Sequence, residues 1–180
     1  MDTITNNNKP KVGVSQCLLG HAVRYDGASK PNDTIINELD KIFDLVPICP
    51  EVEAGLGIPR PAVQLTEDLS NPNVTGRDDP SLDITLQMHD YCKQKTNQLS
   101  GLAGFIFKSR SPSCGLNSTP VFIDNLEISL TSRGMFARAI TRTFPELPVI
   151  EETEFVPRDA LENFIEEVME SHKRLNKSEY

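Results

Sequence analysis

The sequence predicts a single α/β domain in which helices flank a mainly parallel β-sheet. Short apolar runs, which are typical of buried strands, alternate along the chain with longer segments of helical periodicity. The length of 180 residues is that of one domain and is enough to bury a sizeable core. No apolar run approaches the ~20 residues of a membrane-spanning helix, so we expect no membrane partner.

Two strands and a helix are predicted in the first part of the chain. The first strand covers residues 11–15, and Cys17 lies just beyond its carboxyl end. Apolar residues at spacings of three and four predict a helix over residues 35–43. The second strand covers residues 43–48 and must end near Pro50, because proline lacks the N–H group that a sheet position requires.

The middle of the chain combines a long connection with a long helix. Segment 53–77 is rich in Gly and Pro and predicts a connecting loop, which at that length is usually functional in a compact domain. Pro80 follows two aspartates and predicts the start of the helix. We expect Leu86, His89 and Cys92 to lie on one face of it.

The last part of the chain continues the alternation of strands and helices. A third strand covers residues 104–108 and runs into a serine-rich segment. Segment 120–130 predicts a hairpin, because two β-prone runs flank an Asp-Asn turn. A helix over residues 134–144 and a short strand over 148–151 follow, and Pro157 opens a final amphipathic helix. Together these elements predict a Rossmann-like arrangement.

Composition narrows the location and the partners. Residues 1–10 are polar and Asn-rich, which predicts a flexible N-terminus without an export signal and hence a cytoplasmic protein. The chain has 18 Lys and Arg against 26 Asp and Glu, a net charge of −8. General binding of nucleic acid is therefore disfavoured, because phosphates require a basic face.

Three of the four cysteines share one predicted position in the fold. Cys17, Cys49 and Cys114 each lie just after a strand, and the carboxyl ends of parallel strands meet at one edge of the sheet. No two cysteines form a CxxC pair, and disulfides are disfavoured in a reducing compartment. Cys92 lies within the predicted helix, and we interpret it as a small buried side chain.

Three neighbouring thiolates are soft ligands that select zinc, copper(I) or an iron–sulfur cluster. Zinc in a structural site requires a fourth ligand, and only His21 among the histidines lies near a site loop. A cluster held by three thiolates leaves one iron without a protein ligand. Three unrelated buried cysteines are the alternative that involves no metal.

Two polar side chains accompany the cysteines. Glu51 is two residues after Cys49, and Ser111 is three residues before Cys114. A carboxylate beside a partly desolvated centre is suited to acid–base chemistry. The alternatives are a solvated loop carboxylate and a serine whose hydroxyl stabilises the turn before a proline.

Four separate blocks of the sequence are distinctive: VSQCLLG (14–20), VRYDG (23–27), CPEVEAGLGIPR (49–60) and KSRSPSCG (108–115). Together they resemble the TudS family of thiouracil desulfidases. Two further blocks, GMFARA (134–139) and FPELPV (144–149), look like the longer members, which desulfurate 4-thiouridine in transfer RNA and carry a second C-terminal domain. Because this chain ends at residue 180, we expect a free base, nucleoside or nucleotide rather than transfer RNA as the substrate.

The resemblance implies a cofactor and a reaction. It implies a [4Fe–4S] cluster held by Cys17, Cys49 and Cys114, with one iron left open, and catalytic roles for Glu51 and Ser111. The implied enzyme removes sulfur from thiouracil, 4-thiouridine or 4-thio-UMP by Lewis-acid chemistry without electron transfer, replacing C=S by C=O with release of hydrogen sulfide. The catalytic domain is then expected over residues 11–156, with a C-terminal helix and tail over residues 157–180.

The site residues have separate predicted roles. In our hypothesis Glu51 deprotonates the attacking water, while Ser111 exchanges a proton with the ring nitrogen or stabilises negative charge. Ser15, Arg24 and Arg60 are candidates for substrate binding, in which an arginine pairs with a phosphate, or else they make structural contacts. A non-catalytic iron–sulfur sensor or carrier, a desulfidase of thiolated transfer RNA and a zinc hydrolase are the other functions considered. The oligomeric state is left open.

Overall fold

The protein is described by a computed structural model over residues 9–177; most of the predicted flexible N-terminus and residues 178–180 lie outside this range. Eight strands and five helices are described there. The strands are β1 (Lys11–Ser15), β2 (Asp44–Ile48), β3 (Val63–Thr66), β4 (Asn73–Gly76), β5 (Gly104–Phe107), β6 (Thr119–Ile123), β7 (Leu126–Ser132) and β8 (Val149–Glu151). The helices are α1 (Asp40–Ile42), which continues a π-helical turn over Ile35–Leu39, α2 (Pro50–Glu53), α3 (Thr85–Thr96), α4 (Met135–Thr143) and α5 (Arg158–Lys177).

The first sheet has the strand order β2-β1-β5-β8, and all its neighbouring strands are parallel. The central strand β5 has apolar side chains on both faces, with Phe105 and Phe107 on one face and Ile106 on the other. Strand β1, by contrast, buries Val12 and Val14 on one face only. Gly13 in β1 is required by packing, since a Cβ there would lie 2.4 Å from the ring of Phe105. The predicted α/β fold with a parallel sheet flanked by helices is confirmed.

A second sheet with the order β4-β3-β6-β7 was not predicted from the sequence. The hairpin β6–β7 agrees with the prediction over 120–130, and its turn residues Asp124 and Asn125 both have positive φ. The prediction of an uninterrupted loop over 53–77 was wrong, because β3 and β4 lie within it. Each of these strands has only four residues, which is too short for a clear sequence pattern. The position of β3 in the sheet is determined by its pairing with β6, which is distant along the chain.

The helices pack on both faces of the parallel sheet. Helix α5 buries Leu161, Phe164 and Val168 on one face, while α3 and α4 pack on the other. Among the described residues, no helix has both the length and the apolarity needed to cross a membrane. The parallel sheet is therefore a central layer between helices, and this layer fixes the positions at which its own four strands end.

The start and the buried face of α3 differ from the prediction. The helix begins at Thr85 rather than near Pro80, because Asp83 accepts a hydrogen bond from the N–H group of Thr85 (2.8 Å). Leu86 is 80% exposed and His89 is also exposed, so placing both on the apolar face was wrong. The helix buries Met88, Thr96 and Cys92 instead, and for Cys92 the predicted burial is confirmed.

Candidate active site

A cavity of about 330 Å³ lies at the carboxyl edge of the parallel sheet, where β1, β2 and β5 end. This edge is where α/β proteins bind their ligands. The structure brings all eight predicted site residues to this one cavity. They are Ser15, Cys17, Arg24, Cys49, Glu51, Arg60, Ser111 and Cys114.

Each of the three predicted cysteine ligands is placed by the segment that follows a strand. Cys17 lies in the 3₁₀ turn Gln16–Leu19, directly after β1, and its carbonyl oxygen accepts hydrogen bonds from Gly20 (3.2 Å) and Lys30 (2.9 Å). Cys49 is the residue before α2, and its carbonyl oxygen accepts the first N–H bond of that short helix. Cys114 follows β5 in the serine-rich turn and is buried.

Burial disfavours the charged form of all three thiols. It raises the pKa of Cys17 to about 11, against the opposing effect of Lys108 and Arg24, and it also raises the pKa of Cys49. For Cys114 burial raises the pKa well above its ordinary value, while a hydrogen bond from Ser15 acts in the opposite direction. Three thiolates on the wall of this cavity therefore need compensating positive charge, which a thiolate-bound metal supplies in addition to nearby cations such as Lys108 and Arg24.

The donor set fits an iron–sulfur cluster. Within residues 9–177, no group of three or more His, Cys, Asp or Glu is close enough to hold a single metal ion. A cluster sets a different requirement, because each cysteine binds its own iron and the sulfurs need not converge on one point. Three soft donors on the wall of one cavity meet that requirement.

Glu51 lies at the start of α2 and is nearly buried. Its Oε2 accepts a hydrogen bond from Nε of Arg60 at 2.8 Å, and its Oε1 accepts one from the hydroxyl of Ser113 at 2.9 Å. Each carboxylate oxygen has a second lone pair. Glu51 is thus a fixed carboxylate on the cavity wall that retains capacity to accept a proton.

Ser111 is fixed by the turn that carries Cys114. Its Oγ accepts hydrogen bonds from the N–H groups of Ser113 (3.2 Å) and Cys114 (3.0 Å). Because these two bonds use the acceptor capacity of the oxygen, the hydroxyl proton remains for donation to a third group. Ser111 therefore stabilises the turn, as the structural alternative expects, and it also presents a hydrogen-bond donor at the cavity wall.

Ser15 and Arg60 make contacts within the protein. The hydroxyl oxygen of the buried Ser15 accepts a hydrogen bond from the N–H group of Lys108 at 2.9 Å. Arg60 binds Glu51 and two backbone carbonyls. Arg24 lies nearer to solvent, with 28% of its side chain exposed and Asp26 at 3.6 Å. Substrate binding by these three residues stays a prediction.

Cationic side chains outnumber carboxylates on the cavity lining although the chain is acidic, and four of them are paired with a carboxylate. The lining includes six cationic side chains and a single carboxylate, that of Glu51. The cationic residues are Arg24, Lys30, Arg60, Arg77, Lys108 and Arg110. Two of them, Arg24 and Arg77, lie over the ring of Tyr25, each with its guanidinium carbon 5.7 Å from the ring centroid. The local field therefore favours an anionic ligand.

Sequence reasoning missed a second group of residues that fix the loop after β5. Lys108 Nζ lies 2.5 Å from Oε1 of Glu152, and the hydroxyl and N–H groups of Ser109 donate to the same carboxylate at 2.8 and 2.7 Å. Glu151 accepts hydrogen bonds from the N–H group of Leu116 (2.6 Å) and the hydroxyl of Ser118 (2.7 Å). Two successive glutamates at the end of a buried strand, Glu151 and Glu152, were the available signal in the sequence.

Sequence reasoning also missed Ser113, Arg77 and Tyr25. Ser113 was visible only as one more serine beside Cys114, and nothing local indicates that it binds Glu51, which is 62 positions away. Arg77 lies at the end of the segment interpreted as a loop, and the pairing of β3 with β4 brings it near the cavity. Tyr25 is within one of the blocks that carry the family resemblance.

Fold and site together define an α/β protein with a three-cysteine cavity at the carboxyl edge of a parallel sheet. The family model described as 2-thiouracil desulfurase matches residues 12–152, and the chain belongs to this family. A solved structure of a [4Fe–4S]-dependent thiouracil desulfidase, TudS, is similar, with a TM-score of 0.63 and 26% sequence identity over 85% of this chain and 97% of that one. The chain has no significant match among curated proteins. The predicted resemblance is confirmed.

Proposed function

We propose that the protein is a [4Fe–4S]-dependent desulfidase that converts the C=S group of a thiolated pyrimidine into C=O and releases hydrogen sulfide. The observation that carries the proposal is the meeting of Cys17, Cys49 and Cys114 with Glu51 and Ser111 around one cavity. Membership of a thiouracil desulfurase family supports the reaction class, and the similar TudS structure supports the cofactor.

The three cysteines would hold the cluster, since they are the thiolate donors on the cavity wall. When bound, the cluster supplies a thiophilic Lewis-acid iron that lacks a protein ligand. The remaining steps are proton transfers by side chains of this chain. The overall reaction, C=S plus water giving C=O plus hydrogen sulfide, is balanced without an oxidant or a reductant.

Glu51 acts as the general base in this proposal. It takes a proton from the water whose oxygen adds to the thiocarbonyl carbon. Its ion pair with Arg60, 2.8 Å from Oε2 to Nε, holds the carboxylate in place on the cavity wall. Ser111 acts as the donor, since its oxygen already accepts two backbone N–H groups and its proton is available to the ring nitrogen.

The charge of the cavity wall favours a nucleotide among the thiolated pyrimidines. Cationic side chains outnumber carboxylates on the lining even though Arg60 and Lys108 are paired with glutamates, and this excess suits a substrate with a phosphate, such as 4-thio-UMP, better than a neutral base. We propose Arg24 as a phosphate ligand, because its side chain is partly exposed at the cavity. An open iron is sensitive to oxygen, so the reducing cytoplasm is the proposed location.

The proposal is tested by anaerobic loading with iron and sulfide, followed by assays of sulfide release. We expect a brown protein whose kcat/KM is highest for the thio-nucleotide among thio-base, thio-nucleoside, thio-nucleotide and thiolated transfer RNA. A brown protein that releases no sulfide from any of them would indicate a sensor or carrier. Full activity in a colourless, zinc-loaded protein would indicate a zinc hydrolase, and a preference for transfer RNA would refute the substrate assignment.

A further inference from the structure

We propose that Arg60 and Ser113 are positioning residues that hold the carboxylate of Glu51 at both of its oxygens. The inference rests on the proposed function and deepens it, because it assigns Arg60 to the base rather than to a substrate phosphate. The two residues come from different segments, since Arg60 follows α2 and Ser113 follows β5.

The contacts divide evenly between the two carboxylate oxygens. Arg60 donates from Nε to Oε2 at 2.8 Å, and Ser113 donates from Oγ to Oε1 at 2.9 Å. With both oxygens held, rotation of the carboxylate breaks one of the two bonds. The two hydrogen bonds therefore fix the plane of the Glu51 carboxylate, and each oxygen keeps one lone pair that can accept a proton.

Both partners are themselves buried and held in place. Only 6% of the Arg60 side chain is exposed, and Ser113 is 1% exposed. Arg60 also donates from Nη1 to the carbonyl oxygens of Val23 (3.0 Å) and Gly57 (3.2 Å). A planar guanidinium makes these bonds in a fixed geometry, so the side chain has little freedom to turn toward a substrate.

Ser113 connects Glu51, the proposed base, to the turn that carries Ser111 and Cys114. The N–H group of Ser113 donates to Ser111, while its hydroxyl donates to Glu51. The proposed proton acceptor and proton donor are therefore both bonded to one residue, which sets their relative placement. Such preorganisation affects the chemical step more than substrate affinity, because misplacement of a catalytic group acts on the transition state.

The experiment compares Arg60→Gln, Arg60→Lys and Ser113→Ala with the wild type, all loaded anaerobically. Iron per chain, melting temperature, kcat and KM are measured with a thio-base and with its 5′-phosphate. We expect kcat to fall by about 100-fold in Arg60→Gln for both substrates alike, with iron content and KM retained. The Lys variant should recover part of this loss, and Ser113→Ala should lower kcat by about 10-fold, since a hydrogen bond to a charged group is removed.

Arg158→Ala is the matched control, because it removes another Arg–Glu pair of 2.7 Å, with Glu38, whose side chains are about half exposed. It should leave kcat unchanged. A loss in Arg60→Gln that is confined to the phosphorylated substrate and to KM would assign Arg60 to the phosphate and overturn the inference. Unchanged kcat in Ser113→Ala would also overturn it. No sulfide release by the loaded wild type would refute the proposed function itself and remove the basis of the inference.

Discussion

The two outer strands of the parallel sheet, β2 and β8, each lead to a glutamate held by one cation and one serine. After β2, Glu51 binds Arg60 and Ser113. After β8, Glu152 binds Lys108 and Ser109. The two carboxylates are almost equally buried, with 12% and 10% of their side chains exposed.

The difference between the two glutamates is what lies beside them. Glu51 lines the cavity, whereas Glu152 is not among the lining residues. Glu152 instead accepts the N–H group of Ser109 as well, so its oxygens bind the loop that leads to Cys114. Under the proposed function, the same combination of charges would serve acid–base chemistry at Glu51 and loop anchoring at Glu152. Burial and pairing are shared by the two carboxylates, so the proposal for Glu51 depends on its access to the cavity.

The largest effect is expected for Glu51→Gln. The substitution keeps the shape of the side chain but removes the base, so kcat should fall by about 10² to 10⁴-fold. Iron per chain and the melting temperature should match those of the wild type. The measurement is anaerobic sulfide release with the loaded protein. Retention of wild-type turnover by a fully loaded variant would rule out Glu51 as the base, whereas Glu152→Gln should keep its kcat per loaded site.

Glu152→Ala should affect stability rather than chemistry. It leaves the partly buried ammonium of Lys108 without its carboxylate, and the loss of this charge-assisted hydrogen bond costs about 2 kcal/mol in the free energy of unfolding. Urea unfolding followed by circular dichroism measures this loss, and iron retention should fall with it because the loop to Cys114 loosens. Removal of the exposed Arg158–Glu38 pair should cost no more than about 1 kcal/mol. Equal costs for the two variants would show that Glu152 is not an anchor.

Gly134→Ala is expected to disturb the turn that carries Cys114, because Gly134 packs against the backbone of that turn. A Cβ at Gly134 would lie 2.6 Å from the carbonyl group of Ser113 and 2.9 Å from the nitrogen of Cys114, so the backbone must move. Such overpacking costs about 1 to 3 kcal/mol and should reduce iron per chain. Gly101→Ala is the matched control, because a Cβ there meets no atom within 4 Å. Full iron loading in Gly134→Ala would show that the turn tolerates the shift.

The two glutamates also show which features of the site could be predicted from the sequence and which could not. The positions of the cysteines followed from local patterns, because a strand is a short apolar run and the ends of parallel strands meet at one edge. The partners of the glutamates did not follow, because Ser113 is 62 positions from Glu51 and Lys108 is 44 positions from Glu152. Pairing at that distance is set by tertiary packing.

The errors in secondary structure have the same cause. Strands β3 and β4 have four residues each within a Gly- and Pro-rich segment, and they are stabilised by pairing with each other and with β6. Helix α3 begins at Thr85, beside Asp83, rather than near Pro80, and tertiary packing rather than the start of the helix selects the face that buries Met88 and Cys92. The sequence predicted the long regular elements and the family motifs, but not the elements that depend on distant partners.

The smallest effect is expected for Cys92→Ala. This variant tests whether access to the cavity, rather than burial, also distinguishes the cysteines. Cys92 and Cys114 are almost equally buried, at 3% and 5% exposure, but only Cys114 lines the cavity. Removing the Cys92 sulfur should cost about 1 kcal/mol of stability and leave iron per chain unchanged. Cys114→Ala should lose the iron, although it removes the same atom from a similarly buried position. Iron loss in Cys92→Ala as well would contradict a cluster held by three cysteines, because a fourth thiolate would then contribute to its binding and no iron would be left open for the sulfur of the substrate.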